Sequence, residues 1–171
     1  MRTPVSVSSV RGTEFRTVFD EQTGRGATEV LDGVVEVTVG EGATEAVLES
    51  GQGAAVVDGV ASKAALLPPP DLEAADQVQN DRMLDFALHP LPNATRYRGR
   101  MAMDAGMVET FAEAESVPGQ PRLTFDEIPD GVYFLRVTAV SEEGLEGLPM
   151  TYSVTRIRNM VTDLTSSATA T

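Results

Sequence analysis

The residue types best suited to recognition chemistry in this chain are arginines. Arg96, Arg98 and Arg100 alternate within Thr95–Asp104, so in an extended strand they leave from one face, opposite Tyr97, Met101 and Met103. Arg136 faces outward on a second strand if Tyr133 and Leu135 face in, and Arg156 and Arg158 close a third. The planar fork of a guanidinium matches carboxylate and phosphate oxygens. Brought together, the six would form a docking face for an acidic protein partner or an anionic glycan. The competing reading pairs each Arg with a cross-strand Glu or Asp.

Other constellations point to turns and solvated faces. The single His, His89, stands beside Pro90, and the chain has neither Cys nor a Gly-x-Ser-x-Gly element to supply a nucleophile. The acidic clusters Asp71/Glu73/Asp76 and Glu142/Glu143/Glu146 lack the spacing of a Ca²⁺ loop. Paired carboxylates could also act as acid and base in glycoside cleavage, against which solvated turns are the plainer reading. Gly12, Gly24, Gly26, Gly33, Gly51 and Gly53 precede no Gly-Lys-Ser/Thr, so they read as turn glycines and not as a phosphate cradle. The expectation is no catalytic residue, no metal and no cofactor; the chain reads as a non-enzyme.

Composition narrows the classes further. With 26 acidic and 13 basic residues the net charge is -13, which argues against nucleic-acid binding. Twelve of the basic residues are Arg and one, Lys63, is Lys. No segment reads as a membrane span or as a signal peptide. The absence of Cys excludes disulfides and thiolate–metal sites.

The elements that would carry these residues are strands. Val5/Val7, Phe15–Phe19, Thr28–Leu31, Val35–Val39, Ala46–Leu48 and Ala54–Val57 are short apolar or alternating runs separated by Gly and acidic turns. The Asp32-Gly33 pair predicts a hairpin. Leu66-Leu67-Pro68-Pro69-Pro70 cannot continue a sheet and predicts a stiff boundary. Beyond it, Leu72–Asp81 could be a short helix or a loop. Strand patterns resume at Leu84–Leu88, Thr95–Asp104, Phe111–Glu115, Arg122–Phe125, Val132–Val140 and Thr151–Ile157. An all-β chain in two halves follows: a β module over 1–64, a linker over 65–72, an antiparallel sandwich over 73–160 and a disordered Ser/Thr/Ala tail over 161–171.

Two resemblances sharpen this. The combination Arg2-Thr3-Pro4-Val5, Val10-Arg11-Gly12-Thr13-Glu14-Phe15, Thr28-Glu29-Val30-Leu31-Asp32-Gly33 and Gly51-Gln52-Gly53-Ala54 resembles the C-terminal part of a FecR domain over about residues 1–60. That resemblance implies a stacked β module of periplasmic proteins, with Arg11, Gly12, Thr13, Gly33, Gly51 and Gly53 as its structural positions. It also implies a chain that begins inside the domain, leaving an unpaired edge through which a homodimer could form. In the second half, Ile128-Pro129-Asp130-Gly131-Val132-Tyr133-Phe134-Leu135-Arg136-Val137 resembles the penultimate strand of a fibronectin type III or immunoglobulin-like sandwich, with Tyr133 at the tyrosine corner. In that topology the three Arg-bearing strands are neighbours. Where such sandwiches commonly place Trp, this chain reads Phe86-Ala87-Leu88-His89-Pro90.

A FecR-like module, a Pro-rich linker and this sandwich together resemble an arrangement of bacterial envelope proteins in which LysM modules also occur. The resemblance implies a periplasmic or cell-envelope location. It implies a non-enzymatic binding or scaffolding role toward a protein or peptidoglycan. The alternatives are a FecR-type regulator of an extracytoplasmic sigma factor and the accessory domain of a cell-wall enzyme.

Overall fold

A computed structural model describes residues 5–9, 12–20, 25–39, 45–57 and 60–158. The chain is all-β, with fourteen strands among the described residues and one short 3-10 turn at Ala74–Gln77. That turn and the two-residue strand β8 (Val78–Gln79) occupy the stretch open to helix or loop. Arg11, the Gly40–Gly42 and Asp58-Gly59 turns and the tail over 161–171 lie outside the described residues.

In the first half, β1 (Val5–Ser9), β4 (Val34–Val39) and β5 (Glu45–Glu49) form one sheet. A second has the order β2 (Glu14–Asp20), β3 (Arg25–Asp32), β6 (Gln52–Val57), β7 (Val60–Ala65). Period-two alternation buries Val35 and Val37 of β4 against Val30, Leu48, Ala54 and Val56, with Phe15 packed alongside. β7 carries Ser62 and Lys63 in exposed positions and has no sequence pattern that announced it.

Asp32-Gly33 is not a hairpin turn. β3 and β4 belong to different sheets, and the pair makes the corner between them. Gly33 takes the positive φ that the motif promised, +95°, and a Cβ there would overlap the Thr13 side chain. Its N–H donates to Ser50 Oγ at 2.8 Å, and Gly51 N donates to the Val30 carbonyl at 2.8 Å. The two places where the chain changes sheets therefore brace each other.

In the second half, the larger sheet has the order β11 (Thr110–Glu115), β10 (Ala94–Ala102), β13 (Gly131–Ser141), β14 (Met150–Arg156), β8. It packs on the pair β12 (Arg122–Phe125) and β9 (Leu84–Ala87). The core between them holds Leu84, Phe86, Tyr97, Met101, Leu123, Phe125, Leu135, Val137 and Val154. Phe86 meets Phe125 edge to face, with ring centroids 6.0 Å apart, so two phenyl rings fill the volume in a chain without Trp. Gly99 makes room for this packing, since a Cβ would sit 2.8 Å from Leu123 Cδ1 and 3.1 Å from Phe125 Cζ. Tyr133 Oη donates to the Pro129 carbonyl at 2.9 Å, tying the start of β13 to the turn before it. Met103, expected on the core face, lies past the end of β10 and is 60% exposed.

The Pro-rich segment is pinned on both sides. Leu66 N donates to the Gly51 carbonyl at 2.8 Å, and Leu148 N donates to the Leu67 carbonyl at 2.9 Å. Tyr152 Oη donates to the Pro70 carbonyl at 2.8 Å and accepts from Leu72 N at 3.1 Å. A small apolar cluster of Ala55, Leu66 and Leu145 joins the two halves.

Candidate functional site

The three alternating arginines of β10 share one face, with Tyr97 and Met101 buried on the other. The register that sets Arg100 opposite Arg136 of β13 puts Arg136 on the same side. The neighbouring strands supply carboxylates to this face. Arg96 Nε lies 2.9 Å from Glu115 Oε1, Arg98 Nη2 lies 3.4 Å from the same oxygen, and Arg100 Nε lies 3.3 Å from Glu113 Oε1. Arg136 Nε donates to Thr151 Oγ1 at 3.1 Å.

The group on which these contacts converge is the buried Glu146, between β13 and β14. Arg98 Nη1 donates to its Oε2 at 3.0 Å, and Arg100 donates through Nη1 to Oε1 at 2.7 Å and through Nη2 to Oε2 at 3.2 Å. Thr138 Oγ1 donates to Oε1 at 2.9 Å. From the other half, Arg16 of β2 donates through Nη1 to Oε1 at 3.1 Å and through Nη2 to the Gly147 carbonyl at 2.8 Å. Glu29 of β3 completes the cage: its Oε1 accepts from Glu146 N at 3.1 Å, and its Oε2 lies 3.7 Å from Arg16 Nε.

Burial by itself would raise the pKa of Glu146. The hydrogen bond from Arg100, the charges of Arg16 and Arg100 and the Thr138 hydroxyl outweigh it and hold the carboxyl at about 2. Glu29 goes the other way: burial dominates over the Glu146 N–H and the Arg16 charge, and its pKa is raised. Arg100 is held protonated more firmly than usual, chiefly by its hydrogen bond to Glu146.

Beside the cage the two halves enclose a cleft of about 330 Å³. Arg25 and Glu29 line it from β3, and Arg96, Arg98, Glu143 and Glu146 line it from the second half. Both walls therefore carry charge of both signs, which suits a polar ligand with oxygen and nitrogen groups rather than an apolar one.

Arg156 and Arg158 do not join this face. Arg156 shares the inward parity of Val154 and is 1% exposed, with Nη2 donating to the Arg82 carbonyl at 2.8 Å and Nε 3.7 Å from Asp130 Oδ1. Arg158, past the end of β14, lines a separate hollow of about 640 Å³ with Arg82, Glu127, Pro129 and Asp130. Each step along a strand reverses the side, so Arg136, opposite Thr151, and Arg156, five positions further, fall on opposite faces of the sheet.

The remaining candidates have structural surroundings. His89 is exposed, with Nε2 3.4 Å from Glu73 Oε1. Asp76 Oδ2 accepts from Ala87 N at 2.6 Å. Of the second acidic cluster, Glu142 and Glu143 are exposed while Glu146 is buried in the cage. Gly12 and Gly51 adopt positive φ, and Gly53 lies under Leu66 and Leu145 at the junction. Among the described residues no three His, Asp or Glu side chains converge on a metal position, and no helix is long and apolar enough to cross a membrane. Arg16, Glu29 and Thr138 carried no signal as a site.

No protein-family model and no curated protein matches the sequence. Among solved structures, the chain is similar to the extracellular domain of what is described as a hybrid two-component system from B. thetaiotaomicron. The identity is 10% and the TM-score 0.34, over 85% of this chain and 25% of that one. The domain as described for a one-component system gives 9% identity and a TM-score of 0.33, over 86% of this chain and 31% of that one. The chain thus spans between a quarter and a third of those chains, and at such TM-scores the likeness carries no conclusion about what it does.

Proposed function

We propose that this chain is a non-enzymatic binding or scaffolding protein of the bacterial cell envelope, and that its ligand-contacting surface is the cleft between its two β halves. The observation that carries the reading is the placement of Arg25, Arg96 and Glu143 around a cleft whose inner wall is formed by Glu29, Arg98 and Glu146 of the cage. A rigid wall with outward charges is the arrangement a recognition site needs, because side chains already held in place lose little freedom on binding. The FecR-like motifs of the first half support the envelope location. The strand order β11-β10-β13-β14-β8 against β12-β9, with the Tyr133 corner, supports a fibronectin- or immunoglobulin-like second half.

Peptidoglycan is the first ligand to test, since its stem peptides offer carboxylates to Arg25 and Arg96 and ammonium groups to Glu143. Muramidase-released peptidoglycan fragments titrated into the full chain should give saturable calorimetric binding. The R25S/R96S variant should lose most of it. Absence of binding, or binding that survives in R25S/R96S, would remove cell-wall polymer from the reading.

A further inference from the structure

The segment Glu142–Pro149 between β13 and β14 does more than reverse the chain. Leu145 enters the apolar junction with Ala55 and Leu66. Glu146 enters the cage with Arg16. Gly147 lies so close to the linker that a Cβ would stand 2.7 Å from the Leu67 carbonyl oxygen, and Leu148 N donates to that same carbonyl. Consecutive residues thus grip the first half, the linker and the second half at once.

Two β modules joined by a short linker move relative to one another by default unless a large apolar interface prevents it. Here the apolar junction is small: Ala55, Leu66 and Leu145 are buried, with Ala27, Leu31, Ala64 and Leu148 partly buried against them. The polar grip therefore adds the directional contacts that fix the orientation. Arg16 is its centre, since it reaches across from β2 to the Glu146 carboxylate and to two backbone carbonyls, those of Glu146 and Gly147.

We infer that Glu142–Pro149 is a strap that holds the two halves at one angle, with the Arg16–Glu146 contact as its pin. Releasing the pin frees the halves to hinge at Leu66–Leu67, where the chain passes from its bond with Gly51 of the first half to its bond with Leu148 of the second. Because Glu146 and Arg98 also form the inner wall of the cleft, the strap sets the width of that cleft. This last consequence rests on reading the cleft as a binding site, whereas the strap itself does not.

The native chain has no Cys, so a pair of labels can be placed cleanly. Spin labels on S62C in β7 and S153C in β14, both exposed positions, report the distance between the halves by pulsed dipolar spectroscopy. The full chain should give a single narrow distribution. R16A and E146A should broaden it or add a second population while the circular dichroism of the β structure is retained. A narrow distribution in both, with the fold intact, would overturn the strap. If either alanine variant loses its fold, R16Q decides: it keeps most of the stem but removes the charge and the two-armed fork, so a distribution as narrow as that of the parent overturns the pin. No ligand enters this experiment. Failure of peptidoglycan fragments to bind would therefore sink the cleft reading and leave the strap standing.

Discussion

Arg16 and Glu146 are 130 residues apart, yet Arg16 Nη1 donates to Glu146 Oε1 at 3.1 Å and Arg16 Nη2 donates to the Glu146 carbonyl at 2.5 Å. One side chain of the first half therefore satisfies both the charge and the backbone of the same residue in the second. Taking these groups out of water is costly, and only a full set of partners offsets it. Glu146 has that set, because Arg98, Arg100 and Thr138 occupy its remaining lone pairs. Breaking such a set exposes the desolvation cost of whatever remains. E146A should lower unfolding stability by about 2–3 kcal/mol, because it removes the carboxylate that three part-buried guanidiniums share while Glu29, Glu115 and Glu113 remain to them. The R16A/E146A double variant should cost less than the sum of its singles. Urea titrations with an unchanged slope would give both numbers.

The two buried carboxylates respond to pH in opposite directions. Glu146 has its folded pKa depressed from 4.5 to about 2, so its contribution is full above the unfolded value and is lost as pH falls through that window. The size is about 3 kcal/mol, at roughly 1.36 kcal/mol per pKa unit. Glu29 has its folded pKa raised above 4.5, so what it contributes is present at low pH and disappears as pH rises through the folded value. E29Q keeps an oxygen to accept the Glu146 N–H and removes the buried charge. The expected result is a higher thermal midpoint for E29Q than for the parent at pH 7, with the difference closing below pH 4.5. A lower midpoint at pH 7 would mean that the charge of Glu29 stabilises Arg16 more than its burial costs.

Gly147 tests the junction by shape alone. A methyl group there meets the Leu67 carbonyl at 2.7 Å, Leu67 Cβ at 3.0 Å and the Ala139 carbonyl at 3.2 Å, and the backbone atoms among these cannot swing away. G147A should therefore cost about 1–3 kcal/mol, as overpacking does. At Gly53 the tightest neighbour is Leu66 Cδ2 at 2.9 Å, the far end of a flexible side chain. G53A should be the milder of the two, and comparing their denaturation midpoints checks the order.

Period-two logic made the Arg stripe legible, because Tyr97 and Met101 against Arg96, Arg98 and Arg100 leave one solution for β10. The same logic applied to Val154 and Arg156 points Arg156 inward, but its chemistry argues for the surface, and the chemistry was the wrong guide. Asp32-Gly33 failed for a different reason. The positive φ that suits a hairpin equally suits a corner between sheets, and only the long-range pairing of β4 with β1 and β5 distinguishes them. The cage was not legible at all. Glu146 read as a member of an acidic turn, and nothing local reveals that Arg16, Arg98 and Arg100 arrive from two other strands to neutralise it.

Arg156 offers the reverse of the Glu146 case. Its side chain is the more deeply buried of the two, but Nε and Nη1 have no hydrogen-bond acceptor, and its one carboxylate, Asp130, stands 3.7 Å away and is half exposed. Asp130 also has a second partner, since its Oδ1 accepts from Arg158 N at 3.0 Å. A buried charge with so few partners contributes little beyond the packing of its stem. Methionine preserves that stem and removes the charge. R156M should leave stability unchanged or raise it by about 1 kcal/mol, whereas R156A, which also empties the volume, should lower it by about 2 kcal/mol. Thermal unfolding of the pair separates the two contributions. A loss in R156M as large as that in R156A would mean that the charge, and not the stem, is what the core of the second half uses.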